Sequence, residues 1–380
     1  MRVLATSLAT LAIPSLLLAQ AALQPAQTTP PTLEEVRKGM AIPSKGDVRG
    51  QLDATGYAST PEQMAKVWEA SATPPAPERL GDPVAPGVAG VICPHDDYVL
   101  AGRVYRQTLP LVTAKTVVLV GVFHRYRRFG AHDVLVFDTY RSWRAPDGEV
   151  PVSPLRGELL AQLPKRDFVQ DAAAHDSEHS LEALVFWLEH MRGDVEIVPV
   201  IVPAMGFPRT QELAGALGAA LAQSMKKHGW QLGKDVAVVI SSDAVHYGAD
   251  FKYTPYGEGG VDAYLKAWDR DRMLMRDALA GQVTTAKAEQ FFATCVNPEQ
   301  PNEYRLTWCG RFSIPMGLLL LQRTTAALGL PSPVARPLCY AISVGVPELP
   351  LRDAGLAATA PANLYHFVGH PSVAITVGER

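Results

Sequence analysis

The chain has 380 residues, with 35 Lys and Arg against 38 Asp and Glu, which gives a net charge of −3 at neutral pH. Since no basic surface dominates such a composition, nucleic acid is not an expected partner. Four cysteines are too few for a fold built on disulfides, although one disulfide among them is allowed in an exported protein. The length suffices for one large α/β domain or two small ones.

Two features mark the N-terminal part of the chain. Residues 1–22 have the pattern of a secretory signal peptide, because Met1-Arg2 gives a positive start and the apolar stretch ends at the small-x-small site Ala19-Gln20-Ala21. We therefore expect an exported protein, periplasmic or secreted, with no membrane span once the leader is removed. Residues 23–84 are rich in Pro, Ala and Thr, which predicts a partly disordered linker and peripheral arm with one short helix near residues 60–70.

From residue 85 to residue 380, short apolar runs alternate with helical patterns. This alternation predicts a single α/β domain in which a central mixed β-sheet is flanked by helices on both faces. The predicted strands are Val88–Ile92, Thr116–Val122, Val134–Phe137, Glu196–Val202, Val236–Ile240, Pro337–Val344 and Val373–Val377. The predicted helices lie near Gly102–Leu109, Leu155–Leu163, Leu181–Met191, Thr210–His228, Val261–Ala280, Thr284–Ala293 and Gly310–Leu328.

Several of these strands end in residues that ligate metals or transfer protons. His95 follows Gly-Val-Ile-Cys-Pro, His124 ends Val-Val-Leu-Val-Gly-Val-Phe-His, and Asp243 and His246 follow Val-Ala-Val-Val-Ile. Cys309 comes directly before a predicted helix, whose N-terminal dipole would favour a thiolate. Five histidines outside such loops are interpreted as surface or packing residues: His132, His190, His228, His366 and His370. Any single histidine is more often structural, but the joint placement at strand ends predicts a mononuclear metal site.

At this point the chain resembles a known family. The motifs, in order, are Ile-Cys-Pro-His-Asp-Asp-Tyr-Val-Leu-Ala-Gly, Gly-Val-Phe-His, Glu-His-Ser-Leu-Glu, Ile-Val-Pro-Val-Ile-Val, Ser-Ser-Asp-Ala-Val-His-Tyr-Gly and Trp-Cys-Gly-Arg. They resemble the MEMO family, whose bacterial members are called AmmeMemoRadiSam system protein B, over about residues 85–345. That family is similar in fold to the LigB-like class III extradiol dioxygenases.

The resemblance implies a role for each matching residue. His95, His124 and Cys309 correspond to three metal ligands, and the expected cofactor is one divalent transition metal, Fe(II) first, with copper or zinc as alternatives. His246 corresponds to the acid/base of the dioxygenases, with Asp243 holding its orientation. His179, in the same cleft, completes the catalytic set, and Glu178 is placed beside it as a residue that contacts the substrate.

The chain departs from the family pattern beside the metal ligands. Asp96 and Asp97 stand where the family has Ala-Gly, and Arg125 stands where it has the second histidine of a His-His pair. These residues, with Tyr98 and Glu178, are the expected substrate-binding set. Two extra carboxylates and a guanidinium would change the charge that the cleft offers, which favours a polar or zwitterionic substrate.

Two functions from different classes remain open at this point. The first is an exported metal-dependent oxidoreductase of the non-haem dioxygenase type, acting on a small polar or phenolic molecule. The second is a non-catalytic protein that binds iron or copper, or that presents its cleft to a peptide. The presence of Asp243 and His246 beyond the three ligands favours catalysis, because a metal carrier has no need of a positioned base.

Overall fold

The computed structural model describes residues 29–378, so the predicted signal peptide (1–22) lies outside the described residues. The helices are α1 (Leu33–Arg37), α2 (Pro61–Ser71), α3 (Tyr98–Thr108), α4 (Tyr126–Phe129), α5 (Leu155–Gln162), α6 (Ala172–Asp176), α7 (Glu182–Arg192), α8 (Phe207–His228), α9 (Val261–Ala278), α10 (Thr285–Cys295) and α11 (Ser313–Leu328). The strands are β1 (Val48–Arg49), β2 (Glu78–Arg79), β3 (Gly90–Cys93), β4 (Thr116–Val122), β5 (Leu135–Phe137), β6 (Ser142–Arg144), β7 (Glu149–Pro151), β8 (Phe168–Gln170), β9 (Glu196–Val202), β10 (Val236–Ser241), β11 (His246–Tyr247), β12 (Gly281–Gln282), β13 (Val296–Asn297), β14 (Gln300–Tyr304), β15 (Pro333–Ile342) and β16 (Phe367–Val377).

A large mixed sheet of eleven strands organises the described part of the chain. Its main order is β12-β15-β16-β3-β10-β4-β9-β5-β8, with β2 and β11 added beside β15 and β16. The four central strands β3, β10, β4 and β9 run parallel, and antiparallel pairings begin at β16 on one side and at β5 on the other. The predicted mixed sheet is therefore confirmed, and the predicted bounds of β4 and β9 agree at both ends.

Helices cover both faces of this sheet. Gly317 of α11 lies against Ile240 of β10, because a Cβ there would meet the Ile240 side chain at 2.4 Å. Ile240 pairs with Val120 of the neighbouring parallel strand, so Gly121 points to the opposite face, where it lies against Leu181 just before α7. Strands buried on both faces need apolar side chains throughout, which is why the central strands are continuous Val and Ile runs.

Residues 29–84, which we expected from composition to form part of a linker and peripheral arm, are packed on the domain. From residue 29 the chain is ordered, and β1 pairs with β6. Arg49 is fully buried and forms an ion pair with Glu182 of α7, with Nη1 2.6 Å from Oε1. Tyr57 and Ala58 also belong to the main core. A buried charge and buried apolar residues therefore fix residues 29–84 to the rest of the domain.

A correction concerns the start of α11. The helix begins at Ser313, and Cys309–Arg311 forms a separate 3-10 turn in which Gly310 has ψ of 19°. A side chain at Gly310 would meet Ser242 Oγ at 2.2 Å, so this close approach requires glycine. Cys309 is consequently not at the first turn of a long helix, and the expected help from a helix dipole is absent from its position.

The four cysteines, all within the described residues, are free and buried. None of the helices formed by residues 29–378 has both the length and the apolar character that crossing a bilayer requires.

Candidate metal centre

The candidate site lies at the carboxyl edge of three adjacent parallel strands. His95 follows β3, His124 follows β4, and Asp243 follows β10, which lies between the other two. Cys309 reaches the same edge from the 3-10 turn that precedes α11. Side chains at the carboxyl ends of parallel strands meet at one edge of the sheet, so these distant sequence positions converge.

The three predicted ligands come together. One ligand atom from each of His95, His124 and Cys309 lies within 4.8 Å of the others, and His95 Nε2 is 3.6 Å from Cys309 Sγ. Since metal–nitrogen and metal–sulfur bonds are about 2.0 to 2.3 Å long, two ligands of one ion lie within roughly 4.6 Å of each other. The observed separations therefore need only small adjustments to hold a single ion.

Hydrogen bonds orient His95 for metal binding. Its Nδ1 is 2.7 Å from Ser241 Oγ, and the Ser241 hydroxyl donates its own hydrogen to the Ser180 carbonyl oxygen at 2.5 Å. Ser241 must then accept from His95, so Nδ1 carries the proton and Nε2 presents a free lone pair. Burial lowers the pKa of His95 well below its usual value, and the neighbouring histidines lower it further, so the ring stays neutral as a ligand must.

His124 is oriented by a carboxylate. Glu178 Oε1 lies 2.9 Å from His124 Nδ1, and Glu178 Oε2 accepts from the His124 backbone N–H at 2.7 Å. Oε1 also accepts from the backbone N–H groups of His179 and Ser180. Although burial alone would raise the pKa of Glu178, the charge and hydrogen bond of His124 hold it at about 2. The same contact raises the pKa of His124 against the effect of its burial, so binding of a metal at Nε2 would have to displace a proton there. Glu178 is thus fully occupied in holding His124 through Nδ1, and it does not line the cleft as we had expected of a residue that contacts the substrate.

The Cys309 thiol is buried, with 5% of the residue exposed. Its Sγ accepts a hydrogen bond from the Asp243 backbone N–H at 3.0 Å. Burial raises the pKa of this thiol well above its usual value, and the charge of Asp243 raises it further. The thiol is therefore protonated at neutral pH, and only a cation that binds close to Sγ would favour its thiolate.

Asp243 lies closer to the centre than predicted. Its Oδ1 accepts from the His95 backbone N–H at 3.0 Å, and its Oδ2 is 3.2 Å from His95 Nε2. Burial, with the nearby Asp96 charge, raises the pKa of Asp243 to about 7. One ligand atom each of Asp243, His246 and Cys309 also lie within 4.8 Å of one another. The Asp243 carboxylate thus faces the ligand nitrogen of His95, and it does not orient His246 as we had expected.

Backbone carbonyls orient His246 instead. Its Nδ1 lies 3.0 Å from both the Ala244 and the Thr307 carbonyl oxygens, so Nδ1 carries the proton and Nε2 is free. Burial lowers the pKa of His246 to about 4. His246 is therefore a neutral imidazole whose unprotonated nitrogen is available beside Cys309.

His179 stacks on His124, with ring centroids 4.8 Å apart and planes inclined by 12°. Its ring also meets His95 edge-on at 5.5 Å. Burial lowers the pKa of His179, and so does the neighbouring His124. His179 thus lines the cleft beside two of the candidate ligands, without belonging to the three-residue group of His95, His124 and Cys309.

An open cleft of about 610 Å³ leads to these residues. Of the expected substrate-binding residues, Asp96, Asp97 and Arg125 line it, together with residues that the sequence did not indicate: Leu52, Asp53, Tyr57, Phe251, Tyr304, Thr307 and Thr359. Tyr98 was a wrong assignment, because its side chain is buried among Tyr57, Tyr105 and Trp187 and its hydroxyl donates to the Ala183 carbonyl.

The two aspartates of the cleft are held by different partners. Asp96 Oδ2 lies 2.6 Å from Nε2 of His370, a fully buried residue of β16 that we had interpreted as surface or packing. Asp97 Oδ2 accepts from the backbone N–H of Thr359 at 2.5 Å and from its hydroxyl at 2.9 Å. Burial and the neighbouring Asp96 raise the pKa of Asp97 to about 8. Asp96 is therefore the ionised carboxylate of the two at neutral pH.

A buried carboxylate joins the loops of Cys309 and His246. Asp271 of α9 accepts from Trp308 Nε1 at 2.7 Å, from the Val245 backbone N–H at 3.0 Å and from the Tyr340 hydroxyl at 2.6 Å. Trp308 and Val245 immediately precede Cys309 and His246. Sequence reasoning missed this residue because nothing in the helical pattern of α9 distinguishes it from a surface aspartate.

Comparison with known proteins identifies the family. The model of the Memo-like protein family matches residues 53–331, which is most of the chain. This chain therefore belongs to the Memo-like protein family, and the resemblance noted from its motifs is confirmed.

Individual relatives are distant. A MEMO1 family protein of Archaeoglobus fulgidus is 31% identical over 179 residues, covering 47% of this chain and 62% of that protein. The MEMO1 family protein TK1477 of Thermococcus kodakarensis is 28% identical over 190 residues, covering 47% and 60%. Protein MEMO1 of Xenopus laevis is 27% identical over 237 residues, covering 60% and 70%. The chain thus spans about 60% of the length of the two archaeal relatives. A crystal structure of an uncharacterized Escherichia coli K12 protein aligns with a TM-score of 0.38 and 14% identity, over 74% of this chain and 98% of that one.

Proposed function

We propose that this protein is a metal-dependent oxidoreductase of the non-haem dioxygenase type that acts on a small polar or phenolic substrate. The observation that carries the proposal is the convergence of two imidazoles and one thiol on an open cleft, with the neutral imidazole of His246 beside them. Two imidazoles and one anionic ligand leave coordination positions open, as in non-haem iron oxygenases, although those have a carboxylate where this chain has the Cys309 thiol.

The residues present fit one divalent transition metal. His95, His124 and Cys309 would hold it, since Ser241 and Glu178 each engage Nδ1 of one histidine and leave Nε2 as the nitrogen for a metal, with the Cys309 thiol close by. Fe(II) suits this donor set, and the soft thiolate makes copper or zinc an alternative. When bound, the metal supplies a Lewis acid for a substrate hydroxyl and, for iron or copper, a redox couple.

His246 is the proposed general base. Its unprotonated Nε2 can accept the proton of a phenol-type hydroxyl, and the two carbonyls at Nδ1 then stabilise the imidazolium that forms. Since burial lowers the pKa of His246 to about 4, the ring is unprotonated across the neutral range. Asp243 would stabilise positive charge that develops near His95, and His179 would bound the substrate position through its stack on His124.

The cleft walls suggest what the substrate offers. Asp53 and Asp96 provide carboxylates and Arg125 a guanidinium, so a polar or zwitterionic molecule finds partners of both signs. Tyr57, Phe251 and Tyr304 provide aromatic surface for its apolar part.

Metal analysis of variants tests the proposal. Metal-free protein is loaded with Fe(II), Cu(II) or Zn(II), and bound metal is measured after removal of the excess. Cys309→Ser should weaken binding of the soft metals most, because a hydroxyl is a poor substitute for a thiolate. His132→Ala, an exposed histidine, is the control and should bind metal as the unchanged protein does.

Oxygen uptake separates catalysis from mere metal binding. Fe(II)-loaded protein with a panel of catechols and aminophenols should consume oxygen, and His246→Ala should retain its metal but lose this activity. A protein that binds one metal per chain and consumes no oxygen with any compound would instead support the non-catalytic metal-binding or peptide-binding function.

We also propose that the protein is exported through a leader at residues 1–22. Intact-mass measurement of protein expressed from the full gene should give a chain that begins close after Ala21. A mass that includes Met1 or Arg2 would contradict export by this route.

A further inference from the structure

A second cavity lies at the other end of the helix that follows His95. It has a volume of about 230 Å³ and is formed by the loop after α2 and the last turns of α3. Its lining consists of Ser71, Ala72, Thr73, Pro74, Ala76, Pro77, Arg103, Arg106 and Gln107. Two guanidinium groups therefore face a cavity whose lining contains no carboxylate.

The side chain of Arg103 is buried and held in one position by hydrogen bonds. Only 4% of the residue is exposed. Its Nε donates to the Thr73 carbonyl at 3.0 Å and its Nη1 donates to the Pro347 carbonyl at 2.7 Å. These bonds leave the two hydrogens of Nη2 without a hydrogen-bond acceptor among residues 29–378. The guanidinium is thus fixed in place with donors to spare.

Arg106 lies one turn further along the same face of α3. Its guanidinium carbon is 3.4 Å from the centroid of the Trp68 ring, which fixes the plane of the fork. Its Nη1 is buried and has no hydrogen-bond partner in the described part of the chain. A buried donor without an acceptor is costly, so an acceptor that reached Nη1 would be bound favourably.

The positive charge of this pair is not compensated by an acidic side chain. Neither Arg103 nor Arg106 forms an ion pair with any residue between 29 and 378. Glu348, next to the loop carbonyl that Arg103 contacts, pairs with Arg352 at 3.5 Å instead. Burial lowers the pKa of both arginines, which is the signature of cations that are partly removed from water. The carbonyls at Arg103 and the end of α3 offset only part of this charge.

We propose that Arg103 and Arg106 form a binding site for a small oxyanion, separate from the metal cleft. A phosphate or carboxylate group matches the guanidinium fork in two-point hydrogen bonding, and a cavity of this size accommodates either. Pro77 closes one side of the cavity, and the exposed residues Pro74 and Ala76 leave it open for an anion to enter from solvent. The site does not depend on the proposed oxidoreductase activity, because none of its residues lines the metal cleft.

The experiment is calorimetric titration of the metal-free, full-length protein with inorganic phosphate at constant ionic strength. Metal-free protein is used so that phosphate has no metal to ligate. The unchanged protein should bind one phosphate per chain, and Arg106→Gln should weaken the affinity at least tenfold while keeping a planar group over Trp68. Arg323→Gln removes an exposed arginine of α11 and should leave the affinity unchanged.

Additional titrations test the chemistry and the location of the site. Acetate in place of phosphate shows whether a carboxylate occupies the same site, by competition, and chloride at equal ionic strength should not compete. Arg125→Gln should bind phosphate normally, since that guanidinium lies in the metal cleft. No saturable binding by the unchanged protein, equal affinity in Arg106→Gln, or loss in Arg125→Gln alone would each overturn the proposal. Circular dichroism of each variant confirms that folding is intact, and Arg106→Lys, which keeps the charge but not the fork, should recover binding only in part.

Discussion

Asp271→Asn should change the pH dependence of stability in a calculable way. The carboxyl is fully buried, and burial raises its pKa from an ordinary value of 3.8 to about 6 although three hydrogen bonds act to lower it. The folded protein therefore binds a proton more tightly here than the unfolded chain does. Ionising the group between these two pKa values costs stability, so the unchanged protein loses free energy of unfolding as pH rises through this range.

The magnitude follows from linkage. The pKa of Asp271 is 3.8 in the unfolded chain and about 6 in the folded protein. Between pH 5 and pH 8 this difference lowers the free energy of unfolding by about 1.4 kcal/mol, whereas an asparagine at this position does not titrate. The free energy of unfolding of the unchanged protein minus that of Asp271→Asn should hence fall by about 1.4 kcal/mol over this interval, whatever its value at pH 5. Other titrating groups contribute equally to both proteins and cancel.

Urea denaturation of metal-free protein at several pH values measures this difference. Asp277→Asn is the matched control on the same helix, because hydrogen bonding to Arg276 lowers the pKa of Asp277 and the group is ionised in both states above pH 5. The free energy of unfolding of the unchanged protein minus that of Asp277→Asn should stay constant from pH 5 to pH 8. If the corresponding difference for Asp271→Asn stays constant or grows with pH, burial does not raise the pKa of this carboxyl and the reasoning is refuted.

Three further changes test the assigned contacts. Glu178→Gln should lower metal affinity about 10- to 100-fold in a chelator competition, because it removes the charge that orients His124, and unaltered affinity would show that this contact is dispensable. Tyr98→Phe should cost about 1 kcal/mol in urea denaturation and leave ligand binding in the cleft unchanged, since its hydroxyl reaches only a backbone carbonyl; altered ligand affinity would return Tyr98 to the site. Arg49→Met should cost about 3–5 kcal/mol in free energy of unfolding by leaving Glu182 buried without its partner, and the added change Glu182→Gln should recover part of it; a loss below 1 kcal/mol, or no recovery, would contradict that account.

The central sheet was predictable because parallel strands buried on both faces leave an unbroken apolar signal. The bounds of β4 and β9 followed directly from it. His95, His124 and Cys309 were also within reach of sequence reasoning, since each ends a strand or precedes a helix and the family motifs mark it. Their convergence then follows from the adjacency of β3, β10 and β4.

The roles of several residues could not be predicted from the sequence, because they depend on the direction in which each side chain points. Tyr98 and Glu178 stand beside motif residues, yet one turns into the core and the other turns to the back of His124. Asp271 and His370 act at the site from more than 25 and 120 residues beyond Asp243, and nothing local distinguishes them. The arm was misjudged because its Pro, Ala and Thr content hid the single buried charge of Arg49.

The buried pair of Arg49 and Glu182 has a consequence for the order of folding. The two residues are 133 positions apart in the chain, so Arg49 is synthesised long before the carboxylate that neutralises it. Arg49 is fully buried, and its ion-pair partner Glu182 belongs to α7. We therefore expect the arm to dock only after α7 has packed on the sheet, and this docking brings Asp53 and Tyr57 to the cleft. The cleft would then be completed last by Asp53 and Tyr57, although the ribosome makes these residues before most of the cleft.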